Sequence, residues 1–105
     1  METINIAKDF TKNPGARNYS DGPKSGQEFY ETVLLKRFEN AYKSGQKLTV
    51  ILDGTEGYPS SFLNEAFRLL STKYNPSVVW DSLIIISNEV PKYIKKVKEA
   101  IYEKK

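Results

Sequence analysis

The 105-residue chain contains no cysteine and no histidine. Without cysteine there is no disulfide and no thiolate, which suits a reducing compartment. Without histidine a Ser-His-Asp relay is impossible, and with both residues missing no His/Cys metal site can form. Long apolar runs are missing too. The longest, Leu83–Ile86, is far short of the ~20 residues a spanning helix needs. The start, Met1-Glu2-Thr3, is acidic and leads into too short an apolar stretch for a signal peptide, so the expected location is the cytoplasm, with no membrane contact.

What is present suffices for one core. Apolar residues make up 39% of the chain, with 5 Phe, 7 Tyr and 1 Trp, so wholesale disorder is excluded and a single domain over residues 1–105 is expected. The net charge of +3 is unevenly placed, because Lys92, Lys95, Lys96, Lys98, Lys104 and Lys105 crowd the C-terminal end against Glu99 and Glu103. Such a run could attract nucleic acid or an acidic partner. It also suits the solvated face and C-terminal end of a helix. No arginine-aromatic interleaving suggests base readout, so nucleic acid is not the expected partner.

Periodicity orders the elements. Thr3–Ala7 alternates as a short strand does, and Lys47–Leu52 is β-branched and nearly continuously apolar, as in a buried central strand. Val78-Val79-Trp80 and then Leu83–Ile86 read as a further strand over 79–86. Residues 8–24 carry Pro14-Gly15 and Asp21-Gly22-Pro23, and only Ala16–Tyr19 could add an edge strand, near 16–20. Ser25-Gly26-Gln27-Glu28 is a capping box opening a helix over 25–44, with Tyr30, Leu34, Phe38 and Ala41 on its apolar face. Ser60 or Ser61 caps a second helix to Tyr74, with Phe62, Leu63, Ala66, Phe67 and Leu70 inward. A third helix spans 90–103, with Pro91 in its first turn. Strands alternating with helices imply an α/β domain and a mostly parallel sheet.

In such sheets ligands sit beyond the carboxyl ends of the strands. That points to Asp53-Gly54-Thr55-Glu56-Gly57-Tyr58-Pro59-Ser60-Ser61, a loop ending at a helix N-terminus where anions are favoured. The plain alternative is that Asp53 ends the strand, the glycines turn the chain and the serines cap the helix. Enzyme signatures fail here. Ile51-Leu52-Asp53-Gly54-Thr55 lacks the first aspartate of the haloacid-dehalogenase-type nucleophile motif, and a response-regulator receiver needs an acidic pair after its first strand. Lys24-Ser25-Gly26 has parts of a P-loop without its spacing. Asp53 with Glu56 could do acid–base work, but nothing in the sequence places a substrate beside them.

Three stretches together resemble one family: Ile4-Asn5-Ile6-Ala7-Lys8-Asp9-Phe10, Ser20–Phe29, and Leu52-Asp53-Gly54-Thr55-Glu56-Gly57-Tyr58-Pro59-Ser60-Ser61-Phe62-Leu63-Asn64-Glu65-Ala66-Phe67. They look like the prokaryotic STAS-like domain of unknown function, related to anti-sigma factor antagonists. The resemblance implies a mixed sheet of about four strands (near 3–7, 16–20, 47–52 and 79–86) packed against the three helices. It also implies a non-catalytic signalling module that needs no cofactor and docks a protein partner, a GHKL-type ATPase, through the 53–61 loop and the following helix. In antagonists an Asp-Ser-Ser-Gly motif at a helix start carries the phosphorylated serine. By position that makes Ser61 the candidate phospho-acceptor, with Ser60 just before it. Pro59 stands where the motif has aspartate, and Phe62 where it has glycine. The remaining alternatives are a basic adaptor using Lys92–Lys105 and a small-anion binder or enzyme at the 53–61 loop.

Overall fold

The structure, a computed structural model, describes residues 2–103; Met1, Lys104 and Lys105 lie outside the described residues. Strands β1 (Thr3–Asn5), β2 (Leu48–Ile51) and β3 (Leu83–Ile86) form one sheet in the order β1-β2-β3, with both pairings parallel. The expectation of a mixed sheet of about four strands is thus corrected to three strands among the described residues, all parallel. The connections β1 to β2 and β2 to β3 cross the sheet in the same direction, so the right-handed rule puts their helices on one face. Burial agrees. The register aligns Ile4, Val50 and Ile85 on the face that meets the core, and Leu48, Leu52 and Leu83 share it. The opposite face carries Thr3, Ile51, Ile84 and Ile86, and Ile84 is 42% exposed. The domain is therefore two layers, one of helices and one of sheet.

The missing fourth strand has a local explanation. After β1 the chain turns at once into helix α1 (Ile6–Asp9), where Asn5 accepts from the Lys8 N–H, so the strand expected over 3–7 stops at Asn5. Residues 16–20 are not a strand either. Their backbone serves the next helix: Gly26 N–H donates to Ala16 O at 2.9 Å and Gln27 N–H to Arg17 O at 3.0 Å. A single 3-10 turn, Tyr19–Asp21, is held by reciprocal bonds between Asn18 and Asp21. Backbone groups committed to capping cannot also join a ladder.

The helix expected over 25–44 is one continuous rod built of α2 (Gly26–Phe29), a π turn (Tyr30–Leu34) and α3 (Leu35–Lys43). Ser25 Oγ accepts from Glu28 N–H at 3.0 Å, while the Glu28 carboxylate accepts from Lys24 N–H at 2.9 Å, one residue earlier than a standard capping box. The π turn inserts one extra residue, which brings Phe29 onto the face shared by Leu34, Phe38 and Ala41 and leaves Tyr30 only half-buried. A strict helical period could not place Phe29 there.

Helix α4 (Ser60–Lys73) buries the expected Phe62, Leu63, Ala66, Phe67 and Leu70. The stretch Val78-Val79-Trp80 is helical, not extended, and lies within α5 (Pro76–Asp81). Asn75 Oδ1 accepts from Ser77 N–H at 2.9 Å and Pro76 occupies the first turn, so a strong start signal overrides the β-branched pair. Helix α6 (Lys92–Ile101) packs along α4 and buries Val97, Ala100 and Ile101. Between the layers lies an aromatic cluster: Phe29 is 5.3 Å from Phe10 and 5.7 Å from Phe62, and Tyr58 is 5.6 Å from Phe62. Each buried ring contributes roughly 1.5–3 kcal/mol of transfer free energy. This cluster lies directly under the loop that follows β2.

Candidate functional site

The loop leaving β2 is tied down at its base. Both Asp53 carboxylate oxygens accept backbone N–H groups from the turn after β3, from Glu89 at 2.8 Å and Asn88 at 3.1 Å. Glu89 answers by accepting from Gly54 N–H at 2.9 Å. This reciprocal clamp joins the carboxyl ends of neighbouring strands and occupies Asp53 structurally. Glu56 N–H donates to Lys12 O at 2.8 Å, which fastens the loop to the 10–24 segment. Gly54 has φ of +94°, a conformation that favours glycine. Gly57 N–H donates to Thr55 Oγ1 at 3.3 Å.

Tyr58 is a pillar of the loop and not an exposed ligand group. Its hydroxyl donates to Leu52 O at 2.8 Å, its N–H donates to the Tyr93 hydroxyl at 3.1 Å, and the two rings meet edge-to-face at 5.2 Å. Burial pushes its hydroxyl well above the ordinary phenol range. A small cavity of about 150 Å³ beside it is lined by Asp53, Thr55, Glu56, Ser87, Glu89 and Tyr93. Of the predicted loop residues, Asp53, Thr55, Glu56 and Gly57 share this cavity.

The two serines stand elsewhere and apart. The residue preceding the first turn of α4 is Pro59, which offers no side-chain cap, so the expectation that Ser60 or Ser61 caps the helix is corrected. Both serines lie inside the first turn, where the leading N–H groups of a helix lack intrahelical partners. Ser60 is exposed and opens on a cleft of about 400 Å³ between α4 and α6, whose lining includes Arg17, Asn64, Lys96, Glu99 and Glu103. Ser61 is half-buried and is not part of that lining.

Arg17 reaches this cleft from the segment expected to form an edge strand, near 16–20. Its Nη1 donates to Asn64 Oδ1 at 2.6 Å and pairs with Glu65 Oε1 at 3.2 Å. Glu65, 7% exposed, also holds Arg68 at 2.7 Å, and Asn64 Nδ2 donates to Glu103 Oε1 at 2.9 Å. No local signal joins Arg17, Glu65, Lys96 and Tyr93 to the 53–61 loop, because only the packing of α4 on α6 and on the 10–24 segment brings them near it. The basic run of α6 is divided. Lys96 lines the cleft, whereas Lys98 sits over the Trp80 ring at 5.5 Å.

Phe62, at the position where the antagonist motif has glycine, points into the core and is fully buried. The close approach comes from the other helix. A Cβ on Gly26 would lie under 3.0 Å from Phe62 O and 3.1 Å from its carbonyl carbon and Cα. Backbone therefore meets backbone where α2 and α4 begin, and this contact fixes the start of α4.

Among the described residues no helix is long and apolar enough to cross a membrane, and no group of three or more acidic side chains could hold a metal ion. No curated protein and no solved structure matches the chain. A family described as a STAS-like domain of unknown function matches residues 25–93, from the cap of α2 through β2, α4 and β3 to Tyr93, so the chain belongs to that STAS-like family.

Proposed function

We propose that this domain is a non-catalytic interaction module of the anti-sigma-antagonist type. In this reading it docks a protein partner, a GHKL-type ATPase, through the 53–61 loop and α4, and serine phosphorylation regulates the contact. The observation that carries the reading is the uncapped start of α4, where exposed Ser60 faces a cleft with Arg17 and Lys96. A phosphoryl group there adds about −1.5 to −2 charge beside a helix N-terminus and two cations, enough to remodel a docking surface. Ser60 is favoured over Ser61 as the acceptor by its exposure. The non-catalytic half of the reading rests on Asp53, whose two oxygens are both engaged by backbone N–H groups.

Incubation with a GHKL-type ATPase and ATP, followed by phosphosite mapping, tests the switch. Label on Ser60 that disappears in Ser60→Ala, with weaker partner binding by the labelled protein, is the expected result. Absence of label on both Ser60 and Ser61 removes the switch. Partner binding that survives charge reversal of Glu56 together with substitution of exposed α4 residues removes the docking surface.

A further inference from the structure

The two edges of the sheet are treated differently. In β1 the inward groups belong to even-numbered residues, since Thr49 N–H donates to Glu2 O, so Thr3 and Asn5 face outward. Both outward positions are blocked by side chains. Arg37 Nη1 donates to Thr3 O at 2.8 Å, and the Asp9 carboxylate accepts from Asn5 N–H at 2.9 Å. A strand approaching β1 finds one hydrogen-bonding group at each outward position already taken, with the Arg37 and Asp9 side chains standing in its way.

The edge at β3 has no such protection. Leu48 N–H donates to Ser82 O and Leu52 N–H to Ile86 O, so even-numbered residues face β2, and Leu83 and Ile85 turn their N–H and C=O groups outward. No hydrogen bond within the described residues uses those outward groups. The strand Leu-Ile-Ile-Ile contains no charge, proline or bulge, which are the usual devices that blunt an edge. Beside it, Ile84 is 42% exposed on the sheet face opposite the helices, next to Ile51 and Ile86.

We propose that β3 pairs antiparallel with β3 of a second copy of this chain about a two-fold axis at Ile84, making one continuous sheet across a dimer. In that register the outward groups of Leu83 meet those of Ile85 in the other copy. Ile84 meets Ile84, Ser82 meets Ile86, and Asp81 meets Ser87. No charge opposes a like charge. The isoleucines of both copies merge into one apolar stripe on the open face. The blocked β1 edge prevents head-to-tail growth, so the assembly closes at two copies. A pairing of two short strands buries far less than the ~1,200 Å² of a stable interface, so the dimer is weak and concentration-dependent.

Sedimentation equilibrium of the full chain between about 10 µM and about 1 mM tests this, because a weak dimer populates both states within that range. The wild-type chain is expected to shift from monomer to dimer and to go no further. Ile84→Lys puts a charge on an exposed side chain and is expected to weaken association at least about tenfold without lowering the melting temperature. Ile85→Pro removes an outward donor that the β2 ladder does not use and is expected to weaken association as well, with a lower melting temperature because the Ile85 side chain packs against the core. A wild-type chain that stays monomeric throughout overturns the proposal, as does undiminished dimerisation in the folded Ile84→Lys variant.

Discussion

Gly26→Ala puts the contact between α2 and α4 to a direct test. Alanine is the better helix former by at most about 0.8–1.0 kcal/mol, the helix-interior value, and by less at the first helical position that Gly26 holds; it also restricts the unfolded chain. Both effects favour the variant. Against them stands the new methyl group, which would lie under 3.0 Å from Phe62 O and 3.1 Å from Phe62 C and Cα. Those are backbone atoms of a buried helix start, so no side chain can rotate away. The helices must part, or α4 must shift under the aromatic cluster, and overpacking of this kind costs about 1–3 kcal/mol or more. Because the three nearest atoms are all backbone, the upper part of that range applies, and the net expectation is a loss of about 1–2 kcal/mol. In a domain of this size each kcal/mol lowers the melting temperature by about 4–8 °C. Urea unfolding at equilibrium and a calorimetric melt measure both quantities. Exchange of the amides in the first turn of α4 reports whether the displacement reaches Ser60. A Gly26→Ala chain as stable as the original would refute the argument, since propensity would then outweigh the close approach.

Tyr58→Phe removes the hydroxyl that donates to Leu52 O and leaves that carbonyl without its partner; a loss of about 1–2 kcal/mol by urea unfolding is expected. Asp53→Ala strips acceptors from the N–H groups of Asn88 and Glu89, and a loss of about 1 kcal/mol with faster exchange in the 87–90 turn is expected. The Tyr74 hydroxyl donates to Glu39 at 2.8 Å, which raises Tyr74 from 10.0 to about 12 and, with Lys73, holds Glu39 below its ordinary 4.5. Tyr74 is raised in the folded state, so its share of stability is complete below pH 10.0 and is lost as pH climbs toward about 12. Glu39 is lowered, so its share is present above pH 4.5 and is lost as pH falls below that value. Melting curves of the original chain and of Tyr74→Phe should therefore differ most between these limits and converge outside them. A difference independent of pH would contradict the pairing.

Local patterns made the main helices and the two longer strands legible. The stripe of α4, the cap at Ser25 and the central strand Leu48–Ile51 each follow from neighbours within a few residues, and the structure carries them nearly as read. The failures share a cause. Val78-Val79-Trp80 has strand propensity but obeys the Asn75-Pro76 start signal, and Ala16–Arg17 spends its backbone on capping α2 instead of pairing. Phe29 joins the core through a π turn that no simple period encodes.

The sequence by itself determined the α/β class, the alternation of its main strands and helices and the position of the loop from Asp53 to Ser61, because these rest on periodicity and turn chemistry. Tertiary structure alone decided what that loop does with its side chains. Asp53 is consumed by the turn after β3, Tyr58 by Leu52 and Tyr93, and Ser60 is brought to face Arg17 across some forty residues of chain. Which carboxylate is already hydrogen-bonded, and which hydroxyl opens on a cleft that Arg17 and Lys96 also line, depends on contacts between segments far apart in the chain, and these no local pattern records.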